Sequence, residues 1–245
     1  MNARGVLPVS FYVTAHYPCS YLPDRMARSQ VAIGKVGAHD GLYDRLLQQG
    51  FRRSGTNIYR PHCDRCHACV PVRLRVADFQ PNRTQRRVWR RHEDVQVSLL
   101  QPQFDAAHFE LYRRYQASRH AGGGMDNDDQ EQYTEFLMTS EVDTRLAVFR
   151  RKHALYMISL IDVVADGLSA VYTFFDPDAE RDSPGVLNVL WQIDLARRLG
   201  VPYLYLGYWI AESRKMAYKQ QYQPLEGLVN GAWREWQEVN DAAIS

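Results

Sequence analysis

Cysteines are concentrated in one short stretch of the chain, where their spacing could support metal chemistry. Three of the four cysteines form the pattern C-x-x-C-x-x-C over residues 63–69. Thiolates at this spacing can bind zinc or an iron–sulfur cluster, and the role of such a group would be structural. The candidate ligands are Cys19, Cys63, Cys66 and Cys69, with His16, His62 or His67 as alternatives to Cys19. Reduced thiols packed in a loop explain the same pattern, so the sequence leaves both interpretations open.

Positive charge is concentrated immediately after the cysteines. The chain carries a formal net charge of only +2, but residues 73–91 contain seven arginines and a single acid, Asp78. A local excess of this size favours an anionic partner, such as the phosphates of a nucleic acid or a carboxylate.

The second half of this basic segment is predicted to be a helix. It would begin after Asn82, a favourable N-cap residue, and run to His92. Four arginines at i, i+3, i+4 and i+7 would share one face of it: Arg83, Arg86, Arg87 and Arg90. Like charges on one face repel each other, so bound phosphates would stabilise the face. We therefore predict a phosphate-binding surface, and an ordinary solvated helix face is the alternative.

Two further segments could contact phosphates. A helix is predicted over 214–222, and Lys215 and Lys219, four residues apart, would share one face of it. The three consecutive glycines 122–124 allow close approach of the backbone to a phosphate or a ribose. The alternatives are a solvated helix face for the lysines and a flexible loop between helices for the glycines.

The elements that must position these residues include both strands and helices. Strands are predicted at 6–13, 57–60, 70–76, 95–100, 145–150, 155–164, 168–175, 203–208 and 227–236, and helices at 42–47, 82–92, 105–119, 128–139, 185–199 and 214–222. Asp166-Gly167 is a hairpin signal. After residue 144 the order β-β-β-α-β-α-β resembles the GNAT acyltransferase fold. We predict an α+β fold, with a GNAT-like mixed sheet and flanking helices in 101–245 and a smaller α/β region with the Cys-rich loop in 1–100.

Two classes of protein do not fit the sequence. No apolar run approaches the roughly 20 residues that a membrane-spanning helix needs, and residues 1–18 lack the apolar core and cleavage site of a secretory signal. Four cysteines grouped as one plus three also differ from a secreted disulfide framework. A cytoplasmic location is therefore expected.

Several segments, in order along nearly the whole chain, resemble those of one family. They are GLYDRLLQQGFRRSG (41–55), YRPHC (59–63), ACVPVR (68–73), PNRTQRR (81–87), RHAGGGM (119–125) and YLGYWIAESRKMAYKQQYQP (205–224). On these segments the chain resembles the aminoacyl-tRNA–protein transferases of the N-degron pathway, and among them the short bacterial branch, which transfers leucine. Eukaryotic relatives carry a Cys-x-x-Cys pair near the N-terminus, where this chain has Cys19-Ser20-Tyr21-Leu22.

The resemblance implies a reaction and its two partners. The α-amine of a protein that begins with Asp or Glu would attack the ester of Leu-tRNA, so that a peptide bond forms and the tRNA leaves. Because the ester is already activated, the chemistry requires no ATP and no other cofactor. The new N-terminal leucine would then mark the protein for degradation.

This implied chemistry needs a receptor for the acidic N-terminal side chain. Arginine suits the task because its planar fork of N–H groups can pair with both oxygens of a carboxylate. The candidates are Arg52, Arg53 and Arg73, with Ser54 and Tyr59 as neutral donors. The alternative for each arginine is a structural ion pair.

The same chemistry needs a leucyl pocket and a way to remove a proton. Tyr205, Tyr208 and Trp209 could line an apolar pocket, although aromatic residues at strand spacing also build ordinary cores. An α-amine has a pKa of about 7.7–8.0, so positioning alone could suffice without a general base. Tyr208, Glu212 and Asp176 are the candidates for catalytic helpers, and the sequence does not choose among them.

Three other functions remain open at this point. Transfer of arginine instead of leucine would keep the chemistry. A non-catalytic zinc module that binds nucleic acid would explain the cysteines and arginines, but not residues 144–236. An acetyl-CoA-dependent acyltransferase fits the order of the strands. However, residues 176–187 (DPDAERDSPGVL) are acidic and poor in glycine, where a loop for the CoA pyrophosphate would be expected.

Overall fold

The computed structural model describes residues 9–34, 36, 41–119 and 129–239, which form three β-sheets with helices packed against the largest. The strands are β1 (Ser10–Val13), β2 (Tyr17–Pro18), β3 (Met26–Ala27), β4 (Ser29–Ile33), β5 (Arg52–Ser54), β6 (Asn57–Pro61), β7 (Val70–Arg75), β8 (Val95–Leu100), β9 (Thr144–Arg151), β10 (Ala154–Val164), β11 (Gly167–Phe175), β12 (Tyr203–Trp209), β13 (Leu225–Val229) and β14 (Ala232–Glu235). The α-helices are α1 (Leu42–Gln48), α2 (Arg83–Arg91), α3 (Ala106–Arg119), α4 (Gln130–Tyr133), α5 (Pro184–Leu199) and α6 (Arg214–Ala217). A π-helix (Thr134–Met138) follows α4, and 3-10 helices precede α5 (Pro177–Asp182) and follow α6 (Tyr218–Gln221).

The largest sheet has eight strands in the order β14-β13-β7-β12-β11-β10-β9-β8. Its neighbouring strands are antiparallel except for β11 and β12, which are joined through α5 and run parallel. The parallel pairing is short, since only residues 167–169 pair with residues 203–205. Beyond it β12 bulges at Gly207, whose φ of +81° favours glycine, and continues beside β7 alone. The two strands therefore separate near the middle of the sheet.

The N-terminal residues form a smaller antiparallel sheet with the order β1-β4-β6-β5, and β2 pairs with β3 beside it. Helix α1 lies between β4 and β5 in the chain and buries Tyr43, Leu46 and Leu47. Their cluster also contains Ile58 of the small sheet and Tyr205 of the large one. This shared core fixes the small sheet against the large sheet.

Strand β10 shows how the large sheet is covered on both faces. Met157 and Ile161 belong to the cluster that contains α5, whereas Ile158 and Leu160 belong to the cluster formed with α3 and the π-helix. This alternation is the period of two expected when both faces of a strand are buried. The sheet is thus the middle layer between helices.

Local signals in the sequence identified several elements correctly. Helix α2 begins at the predicted N-cap, where the Asn82 side chain accepts a hydrogen bond from the Gln85 backbone N–H and the Gln85 side chain accepts one from the Asn82 backbone N–H. The three consecutive strands β9 to β11 and the hairpin at residues 166–167 are also present. Helix α5 ends at Gly200, as predicted, with a φ of +70°.

Other elements differ from the predictions. The segment 214–222 is not one helix, because α6 ends after four residues and a 3-10 turn follows. The predicted helix 128–139 is α4 followed by the π-helix, and the predicted strand 227–236 is the β13–β14 hairpin. Strands β3 and β4 occupy a segment for which no element was predicted. Residues 6–8 of the first predicted strand and the glycines 122–124 lie outside the described residues.

The fold class agrees with the prediction. It is α+β, and the β-β-β-α-β order from β9 to β12 gives the GNAT-like mixed sheet with helices on its faces. The division of the chain at residue 100 does not coincide with a boundary between sheets, because β7 and β8 precede it and belong to the large sheet. Among the described helices, none has the length and apolar character needed to cross a membrane.

Candidate active site

A cavity of about 730 Å³ lies between the N-terminal loops, the cysteine loop and the ends of β12 and β13. A second cavity of about 390 Å³ adjoins it. The residues that line both are Pro61, His62, Cys69, Tyr208 and Leu228. The two cavities are therefore separated by one shared wall.

All four cysteines line the larger cavity, as reduced and half-buried thiols. The Cys66 sulfur accepts a hydrogen bond of 3.6 Å from Arg25, and the Cys63 thiol lies 3.7 Å from the carbonyl of Arg28. Burial, together with the other nearby cysteines, raises the pKa of Cys69 to about 12. The Cys69 thiol is therefore protonated at neutral pH and is not a nucleophile.

The residues predicted to bind a metal or an iron–sulfur cluster are only partly brought together. The sulfur atoms gather around one cavity, as the spacing suggested, and His16 instead pairs with Asp64 at 2.8 Å. Within residues 9–34, 36, 41–119 and 129–239, however, no group of three or more His, Cys, Asp or Glu side chains is arranged to hold a metal ion. The donor types suit zinc or an iron–sulfur cluster, but their positions do not, so no chemical step depends on such a group.

Arg53, a predicted receptor for the acidic N-terminus, is committed to an internal ion pair. Its guanidinium donates to both carboxylate oxygens of Asp162 on β10, at 2.6 and 2.8 Å. The two side chains are only 1% and 0% exposed, and Tyr43 and Thr144 also donate to the Asp162 carboxylate. Arg53 therefore joins the small sheet to the large sheet and presents no N–H group to a substrate.

Arg73 has a similar internal role. Its Nε donates to Glu226 at 2.7 Å, which links neighbouring strands β7 and β13. The guanidinium also lies over the rings of Tyr203 and Trp233, at 3.6 and 4.3 Å from their centroids. Neither partner was visible from the sequence, since Asp162 and Glu226 lie more than 100 residues away from these arginines.

Arg52 differs from both, because it has no carboxylate partner among the residues the structure describes. It is 9% exposed and donates to the Ser169 hydroxyl at 2.9 Å and to the Ala170 carbonyl. These acceptors lie where β11 and β12 stop pairing. Two other predicted donors, Ser54 and Tyr59, line the larger cavity directly. Burial raises the pKa of Tyr59, and the charge of nearby Arg52 opposes that rise.

The three aromatic residues predicted for a leucyl pocket separate into different environments. Tyr208 lines both cavities and donates from its hydroxyl to the Gly50 carbonyl at 2.8 Å. Tyr205 is buried and donates to Asp166, and Trp209 packs edge-on against Trp236. Tyr208 thus borders the cavities, while Tyr205 and Trp209 belong to the core.

The candidates for catalytic helpers are also separated. Glu212 is exposed at the rim, where it accepts a hydrogen bond of 2.7 Å from Arg25, a residue that lines the cavity. Burial raises the pKa of Tyr208 well above its ordinary value, so its phenol can donate but not act as a base. Asp176 pairs with Arg114 at 2.7 Å in the 3-10 segment before α5.

That 3-10 segment is where a loop for a CoA pyrophosphate would be expected. Its acids are paired with arginines: Asp176 and Asp178 with Arg114, Glu180 with Arg119, and Asp182 with Arg91 and Arg151. An acidic segment whose charges are already neutralised by the protein offers no site for a pyrophosphate. This argues for an acyl carrier other than CoA.

The arginine face of α2 is present as predicted. All of its arginines are exposed, and Arg83, Arg87 and Arg90 form no ion pair with a carboxylate in the described part of the chain. Arg86 donates to the Pro81 carbonyl at 2.5 Å, its one acceptor among the described residues. Trp89, 39% exposed, lies on the same helix. A surface of unpaired arginines beside an exposed aromatic ring suits the phosphates and bases of RNA.

The two lysines do not share a face. Lys215 is exposed on α6, whereas Lys219 is 5% exposed in the following 3-10 turn. The tighter turn has three residues per turn instead of 3.6, so a spacing of four no longer aligns side chains. Lys219 is therefore not available as a surface contact for phosphate.

Sequence reasoning also missed two arginines of the cavity, Arg25 and Arg28. Arg25 pairs with Glu212, and Arg28 pairs with Asp64 at 3.0 Å. Hydrogen bonds from His16 and Arg28 lower the pKa of Asp64. The sequence offered one signal that Arg25 and Arg28 belong to the site, namely that both are close to Cys19 in the chain. Their contact with the cavity depends on how β2 and β3 fold beside the loop of Cys63, Cys66 and Cys69.

Two protein-family models together match most of the residues of this chain. A model of the N terminus of arginine-tRNA-protein transferase matches residues 17–87, and a model of its C terminus matches residues 107–229. The chain belongs to the arginine-tRNA-protein transferase family.

Curated relatives define the branch of this family. A protein of Chromobacterium violaceum named aspartate/glutamate leucyltransferase is 56% identical over 97% of this chain and 98% of its own length. Proteins of the same name from Thiobacillus denitrificans and Nitrosospira multiformis are 58% and 51% identical, over 92% and 98% of this chain and 94% and 97% of their own lengths. A solved structure, L-PGS from Bacillus licheniformis, has a TM-score of 0.41 and 13% identity, covering 69% of this chain and 49% of its own, values too low for any inference.

Proposed function

We propose that this protein transfers leucine from Leu-tRNA to the α-amine of proteins that begin with Asp or Glu. The name shared by relatives of more than 50% identity over nearly the full length carries this proposal. The transfer creates an N-terminal leucine that marks the product for degradation. Because charged tRNA is a cytoplasmic substrate, we place the protein in the cytoplasm.

The reaction is aminolysis of an activated ester. The neutral α-amine attacks the carbonyl carbon of the leucyl ester, a C–N bond forms, and the C–O bond to the tRNA ribose breaks. The proton lost by nitrogen passes to the leaving ribose oxygen. The protein's contribution is to hold the two substrates in contact, since positioning alone supplies a large share of such a rate enhancement.

Helix α2 is the proposed binding surface for the acceptor end of the tRNA. The four arginines of its exposed face, with exposed Lys215 as an additional contact, offer charge for phosphates. A short chain of contacts leads from this helix to the cavity: Gln85 donates to the Gln221 carbonyl at 3.2 Å, and Lys219 of the same turn donates to the carbonyl of Tyr208. The buried face of α2 is thus packed against the turn beside the cavity wall, and the arginines lie on its opposite, exposed face.

The larger cavity is the proposed site for the acidic N-terminus. Arg52 supplies positive charge without an internal carboxylate partner in the described chain, and Ser54 and Tyr59 supply neutral donors. Arg53 and Arg73 are no longer candidates for this receptor, because their guanidinium groups are paired with Asp162 and Glu226. Selection of Asp and Glu over Asn and Gln then follows from charge.

Transfer assays with two charged tRNAs test this function. With an Asp-starting peptide, we expect labelled leucine to be transferred from Leu-tRNA and arginine from Arg-tRNA at a far lower rate. An Asn-starting peptide should react about 10–100-fold less efficiently, since it loses a charge-assisted hydrogen bond worth about 1.5–3 kcal/mol. If transfer from Arg-tRNA is preferred, the proposed aminolysis stands but the transferred amino acid is arginine. Transfer from neither tRNA would contradict the proposal.

A further inference from the structure

Lys219 is a buried lysine without a counter-ion. It is 5% exposed, its Nζ donates to the Tyr208 carbonyl, and the Met216 sulfur lies 3.1 Å away. Within the described residues no carboxylate pairs with it. Burial, and next the charge of Arg52, lower the pKa of Lys219 to about 7. An ordinary lysine four residues earlier, Lys215, is exposed.

Arg52 is a second buried cation in the same neighbourhood. In the part of the chain that the structure describes, its acceptors are the neutral Ser169 and Ala170, whereas adjacent Arg53 is paired with a carboxylate. Burying an unpaired charge is costly, and proteins normally pair or remove such charges. Two such cations at consecutive residues of β12, Arg52 beside Gly207 and Lys219 at the Tyr208 carbonyl, therefore indicate a site that is completed by an anion.

Both cations lie near the wall shared by the two cavities. Lys219 donates to the carbonyl of Tyr208, which lines both cavities. Arg52 lies beside the preceding residue, since a Cβ on Gly207 would be 3.6 Å from the Arg52 Nε. The charge of Arg52 opposes the rise in the pKa that burial causes at Tyr21, which lines the larger cavity. Positive charge is thus concentrated behind one wall, and the described residues that form that wall carry no acid.

We infer that Lys219 and Arg52 together form a two-cation receptor for a single carboxylate, the side chain of the acidic N-terminal residue. This inference rests on the proposed function and adds a specificity-determining residue to it. A carboxylate fits better than an RNA phosphate, because a polyanion is bound through exposed cations such as those of α2. Two partly desolvated cations behind a cavity wall suit one compact anion.

The receptor is tested by removing the charge of Lys219 in two ways. Lys219→Met removes a buried cation, so we expect the melting temperature at pH 7 to rise by several degrees. Lys219→Gln keeps a donor for the Tyr208 carbonyl but has no charge. Both variants should bind an Asp-starting peptide at least about tenfold more weakly, in titrations with deacylated tRNA present, and bind an Asn-starting peptide as the parent does. Arg45→Met, which removes an exposed cation on α1 outside the proposed binding surfaces, is the control and should change neither quantity.

A purely structural lysine would give a different pattern. If Lys219→Gln keeps the parent's preference for the Asp peptide over the Asn peptide, the receptor is contradicted, even if Lys219→Met fails to fold. Weaker tRNA binding with unchanged peptide preference would also overturn it and assign Lys219 to phosphate. Absence of leucyl transfer by the parent protein would contradict the proposed function instead, whatever the peptide titrations show.

Discussion

Replacing Arg53 with methionine is expected to lower the free energy of unfolding by about 3–5 kcal/mol. The substitution would leave the Asp162 carboxylate, which is 0% exposed, without its cation, and its remaining side-chain donors among the described residues would be Tyr43 and Thr144. An unpaired buried carboxylate costs far more than the lost contact itself, because it cannot regain its hydration. The loss should appear as a lower midpoint in urea unfolding.

The double substitution Arg53→Met with Asp162→Leu separates the charge from the packing. Removing both charges should restore part of the lost stability, since no buried charge is left unpaired, and the rest stays lost because the Tyr43 hydroxyl no longer has its acceptor. Arg45→Met, a change of the same type at an exposed position of α1, should stay within about 0.5 kcal/mol of the parent. A receptor role for Arg53 would instead predict normal unfolding of Arg53→Met together with a selective loss of Asp-starting substrates.

The position of the pair explains why its effect should be global. Arg53 belongs to β5 of the small sheet, and Asp162 belongs to β10 near the centre of the large one. The pair and its hydrogen bonds, with the apolar cluster around Tyr43, hold the two sheets in one orientation. The cavity lies between elements of both sheets, so its shape depends on this contact.

Features determined by neighbouring residues were predictable from the sequence. Helix α2 is an example, because its capping box and its i, i+3, i+4, i+7 arginines are all encoded within ten residues. The strands from β9 to β11 are another, since each has a continuous apolar run and a strong turn signal joins the last two. The family resemblance then supplied the reaction, which local patterns alone did not specify.

Features that depend on distant partners were not predictable. Arg52, Arg53 and Arg73 look alike in the sequence, but only the pairing of β5, β7 and β10 with their neighbours shows which have carboxylate partners. Lys219 was assigned to the surface because the pitch of a helix was assumed, and a 3-10 turn turned it inward. Sequence spacing gave the types of residue at the site, while tertiary contacts decided which of them remain free for a substrate.

The double substitution Arg86→Glu with Arg87→Glu is expected to weaken tRNA binding by at least about 100-fold at low salt. Each arginine that contacts a phosphate releases a counter-ion, so the slope of log K against log salt should decrease by about 2. Both side chains are exposed, and neither is paired with a carboxylate among the described residues, so unfolding should stay close to that of the parent. Filter binding at several salt concentrations would measure both quantities.

The reversal on α2 needs a control of equal charge, since any loss of positive charge weakens binding to a polyanion. Arg198→Glu with Arg234→Glu gives the same change in net charge on α5 and β14, at exposed residues whose ion pairs with Asp194 and Glu238 contribute little. If α2 is the contact surface, this control should keep nearly the parent's salt slope. Equal weakening by both double variants would mean that net charge governs tRNA affinity, and α2 would then lose its assignment. A local effect confined to α2 would assign the acceptor end to this helix, which packs through Gln85 against the turn that carries Lys219.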